Sequence, residues 1–210
     1  MRHRTIKNKL FIENRKRLSE LLPQKSLAVV NANDILPTNA DGTLIIHPNA
    51  DLFFLSGIEQ EQSILLIFPD AADEKNREIL FLREPNEHLK IWEGYKHSKD
   101  DAKKISGIKN IQWLSEFPVI FRSLILESES AYLNNNEYKR AQIETETRDV
   151  RFIRQCKSDF PLHEFRRLAP LLHQLRITKS DIEIDLLKEA IDITAKGFNR
   201  MLRFVKPGVT

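Results

Sequence analysis

The residues that could bind a metal, attack a carbonyl or move a proton are six histidines, one cysteine and thirty acidic side chains. A zinc-hydrolase helix needs two histidines four apart with a glutamate beside the first. None of His3, His47, His88, His97, His163 and His173 forms H-E-x-x-H, and His163 and His173 are ten residues apart and would not share a helix face. These read as surface or packing histidines. Cys156 has no histidine near it in sequence and falls at the end of a charged helical stretch, so it reads as a structural thiol. The six glycines, at 42, 57, 94, 107, 197 and 208, are too far apart for a dinucleotide-binding G-x-G-x-x-G, a phosphate-binding P-loop or a G-x-S-x-G nucleophile elbow. The carboxylates are scattered among basic neighbours, and no pair stands out for acid–base work. The chain's own residues lay out no complete catalytic apparatus.

The elements that would position any site follow from hydrophobic periodicity. Apolar residues at Ile6, Leu10, Leu18, Leu21 and Leu22 predict a helix closed by Pro23, with Arg15, Lys16 and Arg17 largely on its other side. Short β-like runs follow at 27–30, 52–55, 63–68, 78–82, 111–114 and 131–134, punctuated by Asp41-Gly42, Gly57 and Pro69. Helical stretches at 98–106 and 116–127 fall between the later runs, which implies some parallel pairing. Strands at 52–55, 63–68 and 78–82 would make an antiparallel meander, so the sheet is expected to be mixed. Asn49 and Asp51 precede the first of these strands, where a core strand needs neither; they read either as an Asx-type cap or as part of a site.

Beyond Asn134 the pattern predicts long helices over about 139–156, 161–176 and 180–205. In the last, Ser180 and Glu183 form a capping-box pair, and Ile182, Leu186, Leu187, Ala190, Ile191, Phe198, Met201, Leu202 and Val205 line one stripe. Pro207-Gly208 stops it, and the stripe needs a partner.

Composition excludes several classes. Of the 210 residues, 33 are Lys or Arg and 30 are Asp or Glu, so no polyelectrolyte partner is implied by the whole. The basic excess is local: residues 1–17 carry +6 and the remainder −3. That face lacks a second basic element and interleaved aromatics, so a nucleic-acid partner is not expected. One cysteine permits no intrachain disulfide, and no run is apolar enough to cross a membrane. A soluble, cytoplasmic protein is the expectation.

Three segments resemble aminopeptidase P, the Xaa-Pro aminopeptidase of the creatinase/prolidase superfamily. The pattern Arg176, Lys179, Ser180, Glu183, Ile184, closed by Pro207-Gly208, is similar to the start of that family's metallopeptidase domain. "NADLFFLSG" at 49–57 and "IWEG" at 91–94 are similar to segments of its N-terminal domain. Departures exist: His47 and Ala169 stand where relatives often have arginine, and no role of those arginines carries over.

The resemblance implies an α/β fold, a mixed β-sheet flanked by helices over residues 1–178, with 179–210 beginning a truncated pita-bread metallopeptidase domain. It implies a non-catalytic N-terminal domain that shapes the substrate cleft and supports homo-oligomer assembly. The complete enzyme would remove a residue preceding proline, using two divalent metal ions, usually manganese. Their ligands lie beyond Pro207-Gly208, so this chain is expected to hold no metal and show no activity. The missing metallopeptidase domain and proline-containing peptides are the implied partners. Trp92 matches a tryptophan that in oligomeric relatives reaches a neighbouring subunit's active site, and Asp51 an aspartate near the same interface. The other reading is a catalytically inactive relative that binds peptides or histones.

Overall fold

The computed structural model describes residues 5–44, 47–85, 94–141 and 144–209. The chain divides into two compact units, Met1–Leu175 and Arg176–Thr210.

The first unit is built on a six-stranded sheet of order β4-β3-β2-β1-β5-β6, with β1 Ser26–Asn31, β2 Ile64–Ile67, β3 Glu78–Leu82, β4 Asn110–Trp113, β5 Ser130–Leu133 and β6 Glu164–Arg167. Only β2 runs against its neighbours: it pairs antiparallel with β1 and β3, while β3–β4, β1–β5 and β5–β6 are parallel. The expected mixed α/β sheet is therefore present. Its central strands are apolar without alternation because both faces are covered. Ala28, Val30, Leu65, Ile67, Leu80 and Leu82 face one buried cluster, and Leu27, Val29, Ile64, Leu66, Ile79 and Phe81 face the other.

Helices α1 (Lys9–Leu21), α2 (Ala50–Ser56), α3 (Lys99–Ser106) and α6 (Ala169–Ile177) supply the first cluster through residues such as Leu18, Leu52, Leu55, Ala102 and Leu172. Helices α4 (Phe117–Glu127) and α5 (Arg148–Asp159) supply the second, where Phe117 stacks on Phe121 at 5.1 Å and both rings meet Phe152.

Two elements differ from the sequence expectation. The run at 52–55 is not a strand but the middle of α2. Asn49 caps it, accepting hydrogen bonds from the amides of Asp51 and Leu52 at 3.0 Å, and Gly57 ends it at φ 71°. The antiparallel meander is consequently β1–β2–β3. The helix expected over 161–176 is also wrong at its start, where charged β6 pairs with β5 before α6 begins. The helix expected from 139 begins at Arg148, after the Thr147 cap; residues 142–143 within that expectation lie outside the described residues.

Helices α2 and α3 end in the same four-residue turn, Leu55-Ser56-Gly57-Ile58 and Ile105-Ser106-Gly107-Ile108. In each, the serine hydroxyl donates to the carbonyl four residues back at 2.7 Å and accepts from the isoleucine amide, and the glycine is left-handed. Both turns close on α1. Arg15, 1% exposed, donates through Nη1 to Leu55 O at 2.8 Å and Ser106 O at 3.0 Å, and through Nε to Glu78 at 3.0 Å. Neighbouring Asn14 donates to Phe54 O at 2.9 Å. A residue that the periodicity puts on the side away from the apolar stripe is thus the buried joint of three helices.

The second unit holds α7 (Asp181–Phe204). Ser180 and Glu183 form the reciprocal capping box that the sequence pattern indicates. None of the helix's residues is buried, and Leu187, Ile191, Phe198, Met201 and Leu202 are each at least half exposed. No helix among the described residues is long and apolar enough to cross a membrane.

Candidate functional site

Five strands point the same way, so their carboxyl ends share one edge. From β1 the chain goes to β2, β3 and β4 on one side, then returns to β5 and β6 on the other. Connections leaving β1 and β5 therefore diverge and open a crevice between them, the usual ligand position in sheets of this kind.

Polar side chains collect at that edge. Asn31, the last residue of β1, and Asn134, just past β5, are both buried. Each donates to a carboxylate at the start of a helix. Asn134 Nδ2 reaches Asp51 Oδ2 at 3.0 Å near the start of α2, and Asn31 Nδ2 reaches Asp149 Oδ1 at 2.9 Å in the first turn of α5. Asn134 Oδ1 is buried with no hydrogen-bond partner among the described residues. Farther out, Asn33 donates to His47 O at 2.9 Å and accepts from Asn49 at 3.1 Å, tying the 33–49 excursion to the α2 cap.

Arg148 and Asp34 lock the crevice wall. The Arg148 amide donates to Asp34 Oδ2 at 2.7 Å, and its guanidinium donates to the carbonyls of Ala32, Gln62 and Ser63 at 3.2–3.5 Å. Arg151 pairs with the other Asp34 oxygen. Burial pushes the Asp149 carboxyl up to about 6; Asn31 and Arg148 pull it down, while Asp51 and Asp34 add to the rise. A cavity of about 340 Å³ opens past the end of β1, lined by residues that follow β1, among them Asp34, Leu36, Leu44 and His47, and by the start of α5, among them Thr147 and Asp149.

A second polar group lies past β3. Glu61 pairs with Lys96 and, at 3.8 Å, with Arg83. Gln60 donates to Arg83 O at 3.3 Å and accepts from the His97 amide at 2.8 Å. Two adjacent side chains thus hold both flanks of the segment between Arg83 and Lys96. Burial lowers the His97 pKa, and its Nδ1 is buried without a partner among the described residues.

Of the two residues singled out by sequence, Asp51 sits at this edge, whereas Trp92 lies outside the described residues. The crevice residues that sequence reasoning missed are Asn31, Asn134, Asp149 and Arg148. The two asparagines carried a signal, since each directly ends an apolar run, "LAVVN" and "AYLN", where the next core position would be apolar.

The arrangement offers buried amides and partly buried carboxylates that can hold a polar ligand. Cys156 is buried, its thiol pushed up to about 12 chiefly by burial, which leaves it a poor nucleophile. Among the described residues no group of three or more His, Cys, Asp or Glu is placed to hold a metal ion. The two divalent ions that the resemblance implies would be held by residues beyond Pro207-Gly208, not by the amide and carboxylate donors of this crevice.

Comparison with known proteins agrees with the fold. Among curated relatives, the Xaa-Pro aminopeptidase of Escherichia coli K12 is 23% identical over 95% of this chain and 45% of its own length. The mitochondrial intermediate cleaving peptidase 55 of Arabidopsis thaliana is 25% identical over 89% of this chain and 35% of its own. Among solved structures, a Bacillus anthracis chain assigned as an aminopeptidase P superposes with TM-score 0.83 at 27% identity, covering 92% of this chain and 46% of that one. The low-pH form of Escherichia coli aminopeptidase P gives 0.81 at 22% identity, covering 97% and 46%. The chain therefore spans less than half the length of these relatives. The family model "Aminopeptidase P, N-terminal domain" matches residues 11–132, more than half of the sequence, and the chain belongs to that family.

Proposed function

We propose that this chain is the non-catalytic N-terminal part of a metal-dependent Xaa-Pro aminopeptidase, shaping the substrate cleft and supporting oligomer assembly. The observation that carries this reading is the family match over residues 11–132 in a chain that spans less than half of its relatives' length. The metallopeptidase domain would begin near Lys179, and α7, with its capped start and uncovered apolar residues, would be its first helix.

The reaction gives an accessory domain a purpose. An Xaa-Pro bond is a tertiary amide without an N–H, and the proline ring restricts the residue before it, so a general peptidase cleft fits it poorly. A second domain that narrows the cleft admits a free amino terminus and excludes the middle of a chain. The metal ions, supplied by the remainder of the protein, would activate the attacking water and stabilise the developing charge. This chain's part would be positional, and the resemblance gives Asp51 and Trp92 as its residues nearest the assembled site.

The test is an Xaa-Pro peptide assay with added manganese on the 210-residue chain and on the extended protein. The expected result is turnover by the extended protein alone. Turnover by the 210-residue chain would overturn the division of labour. An inert extended protein that still binds peptides or histones would replace the reading with that of a non-cleaving relative.

A further inference from the structure

We propose that the cavity past the carboxyl end of β1, between residues 32–44 and the start of α5, binds a small organic ammonium ion bearing an apolar group. The ammonium would lie against Asp149 and the apolar group against Leu36 and Leu44. This goes beyond the cleft-shaping role above, which gives the domain no ligand of its own.

Four observations converge. The first is position: the cavity lies just past the carboxyl end of β1, between residues 32–44 and the start of α5. Size is the second, since about 340 Å³ falls in the range of small-ligand sites, roughly 300–1,000 Å³.

The third is the apolar wall. Leu36 and Leu44 are 46% and 52% exposed, yet they are held side by side by the Leu44 amide donating to Leu36 O at 2.9 Å and by the Pro37–Thr43 bridge. Two leucines fixed over a cavity and excluded from both core clusters offer apolar surface to a ligand.

Charge is the fourth. Asp34 is taken by Arg151 and the Arg148 amide, and Glu146 by Arg154. The Arg148 guanidinium is committed to three carbonyls. Asp149 remains as the lining carboxylate whose hydrogen-bond partner, Asn31, is neutral. Burial is the chief reason the Asp149 carboxyl is raised, and Asp51 and Asp34 add negative potential at the same place against the opposing charge of Arg148. An anion would meet repulsion from these carboxylates; a neutral ligand would leave Asp149 as it is.

The probe is L-leucinamide, a primary ammonium with a branched side chain and no carboxylate, titrated into the 210-residue chain at pH 7.5 with amide NMR detection. N-acetyl-L-leucinamide, neutral and of the same side chain, and the anion 4-methylpentanoate are the comparators. Saturable shifts at Asn31, Asn33 and the first turn of α5 are expected with leucinamide, with at least tenfold weaker binding of both comparators. Asp149→Asn should weaken leucinamide at least tenfold and leave the acetylated compound unchanged. Leu44→Ser, at a half-exposed position outside both core clusters, should weaken leucinamide too. Absence of saturable binding at millimolar concentration, equal affinity for the acetylated compound, or indifference to Asp149→Asn in a folded variant each overturns the proposal.

Discussion

Replacing Arg15 by methionine keeps the side chain's length and apolar stem while removing every donor. Two carbonyls at the ends of α2 and α3 then lose their buried partner, Leu55 O and Ser106 O, as does the Glu78 carboxylate. A buried acceptor left unsatisfied costs roughly 1–3 kcal/mol, so the two carbonyls together account for about 2–6 kcal/mol. Glu78 is 32% exposed and can rehydrate, which limits its share to about 1 kcal/mol. Part is returned because methionine needs no desolvation, and burial already pulls the Arg15 pKa below the ordinary guanidinium value. The net expectation is a loss of about 3–5 kcal/mol, the usual scale for breaking a buried charged network from one side. For a chain of this size that lowers Tm by on the order of 10 °C. Urea unfolding followed by far-UV circular dichroism measures it, with Glu78→Gln in parallel to isolate the ion pair at about 1 kcal/mol. Arg15→Met within 1 kcal/mol of the parent, or Glu78→Gln costing as much as Arg15→Met, would refute the assignment of the energy to the two helix ends.

Three further outcomes follow from the same geometry. Gly57→Ala should cost more than Gly107→Ala: both demand a left-handed alanine at about 1–2 kcal/mol, but a Cβ at Gly57 lies 2.4 Å from the buried Phe11 ring, whereas at Gly107 it lies 2.6 Å from the tip of Ile12, a half-exposed side chain that can move. Equal losses in chemical denaturation would count against this. Asp149→Asn should stabilise the fold at pH 7.5 by up to about 3 kcal/mol, because a carboxyl raised to about 6 penalises folding fully above pH 6 and progressively less as pH falls towards 4; the variant's advantage should be gone near pH 4. An advantage independent of pH would mean that charge is not its source. Ser180→Ala removes half of the capping box of α7 and should lower the stability of that helix by about 1 kcal/mol, read as lost helical ellipticity on mild heating.

The parts of the fold legible in the sequence were those where one element carries one clear period. Strands β1, β2, β3 and β5 are apolar runs between breakers, and α1, α3, α4 and α7 show helical spacing with caps or proline stops. The run at 52–55 misled because four apolar residues fit a buried strand and a buried helix equally well. Length alone does not choose between them. The spacing of Asn49 and Gly57, a cap at each end of two helical turns, does. Strand β6, "EFRR", has no apolar signature because it is an edge strand: its pairing with β5 supplies the backbone bonds while its arginines meet Glu164 and Glu137 on the surface. The crevice was less legible still. Asp51 could be singled out from a local pattern, but Asn31, Asn134 and Asp149 meet only because β1 and β5, a hundred residues apart, lie side by side.

That same adjacency sets a schedule for synthesis. Strand β1, buried along all six residues, gains β2 on one side as soon as Ile67 has been made. Its other edge waits for β5, whose first pair joins Ser26 to Ser130 across 104 residues. At about 5–20 residues per second, the β1–β2–β3 meander, complete at Leu82, spends roughly 2–10 s on the ribosome with the "LAVV" edge open before β5 is made. An uncovered apolar edge is a template for any other extended chain, and neighbouring ribosomes on one message carry the same segment at the same stage. A nascent chain stalled before Ser130 is therefore the form in which this sequence most readily pairs with a second copy of itself.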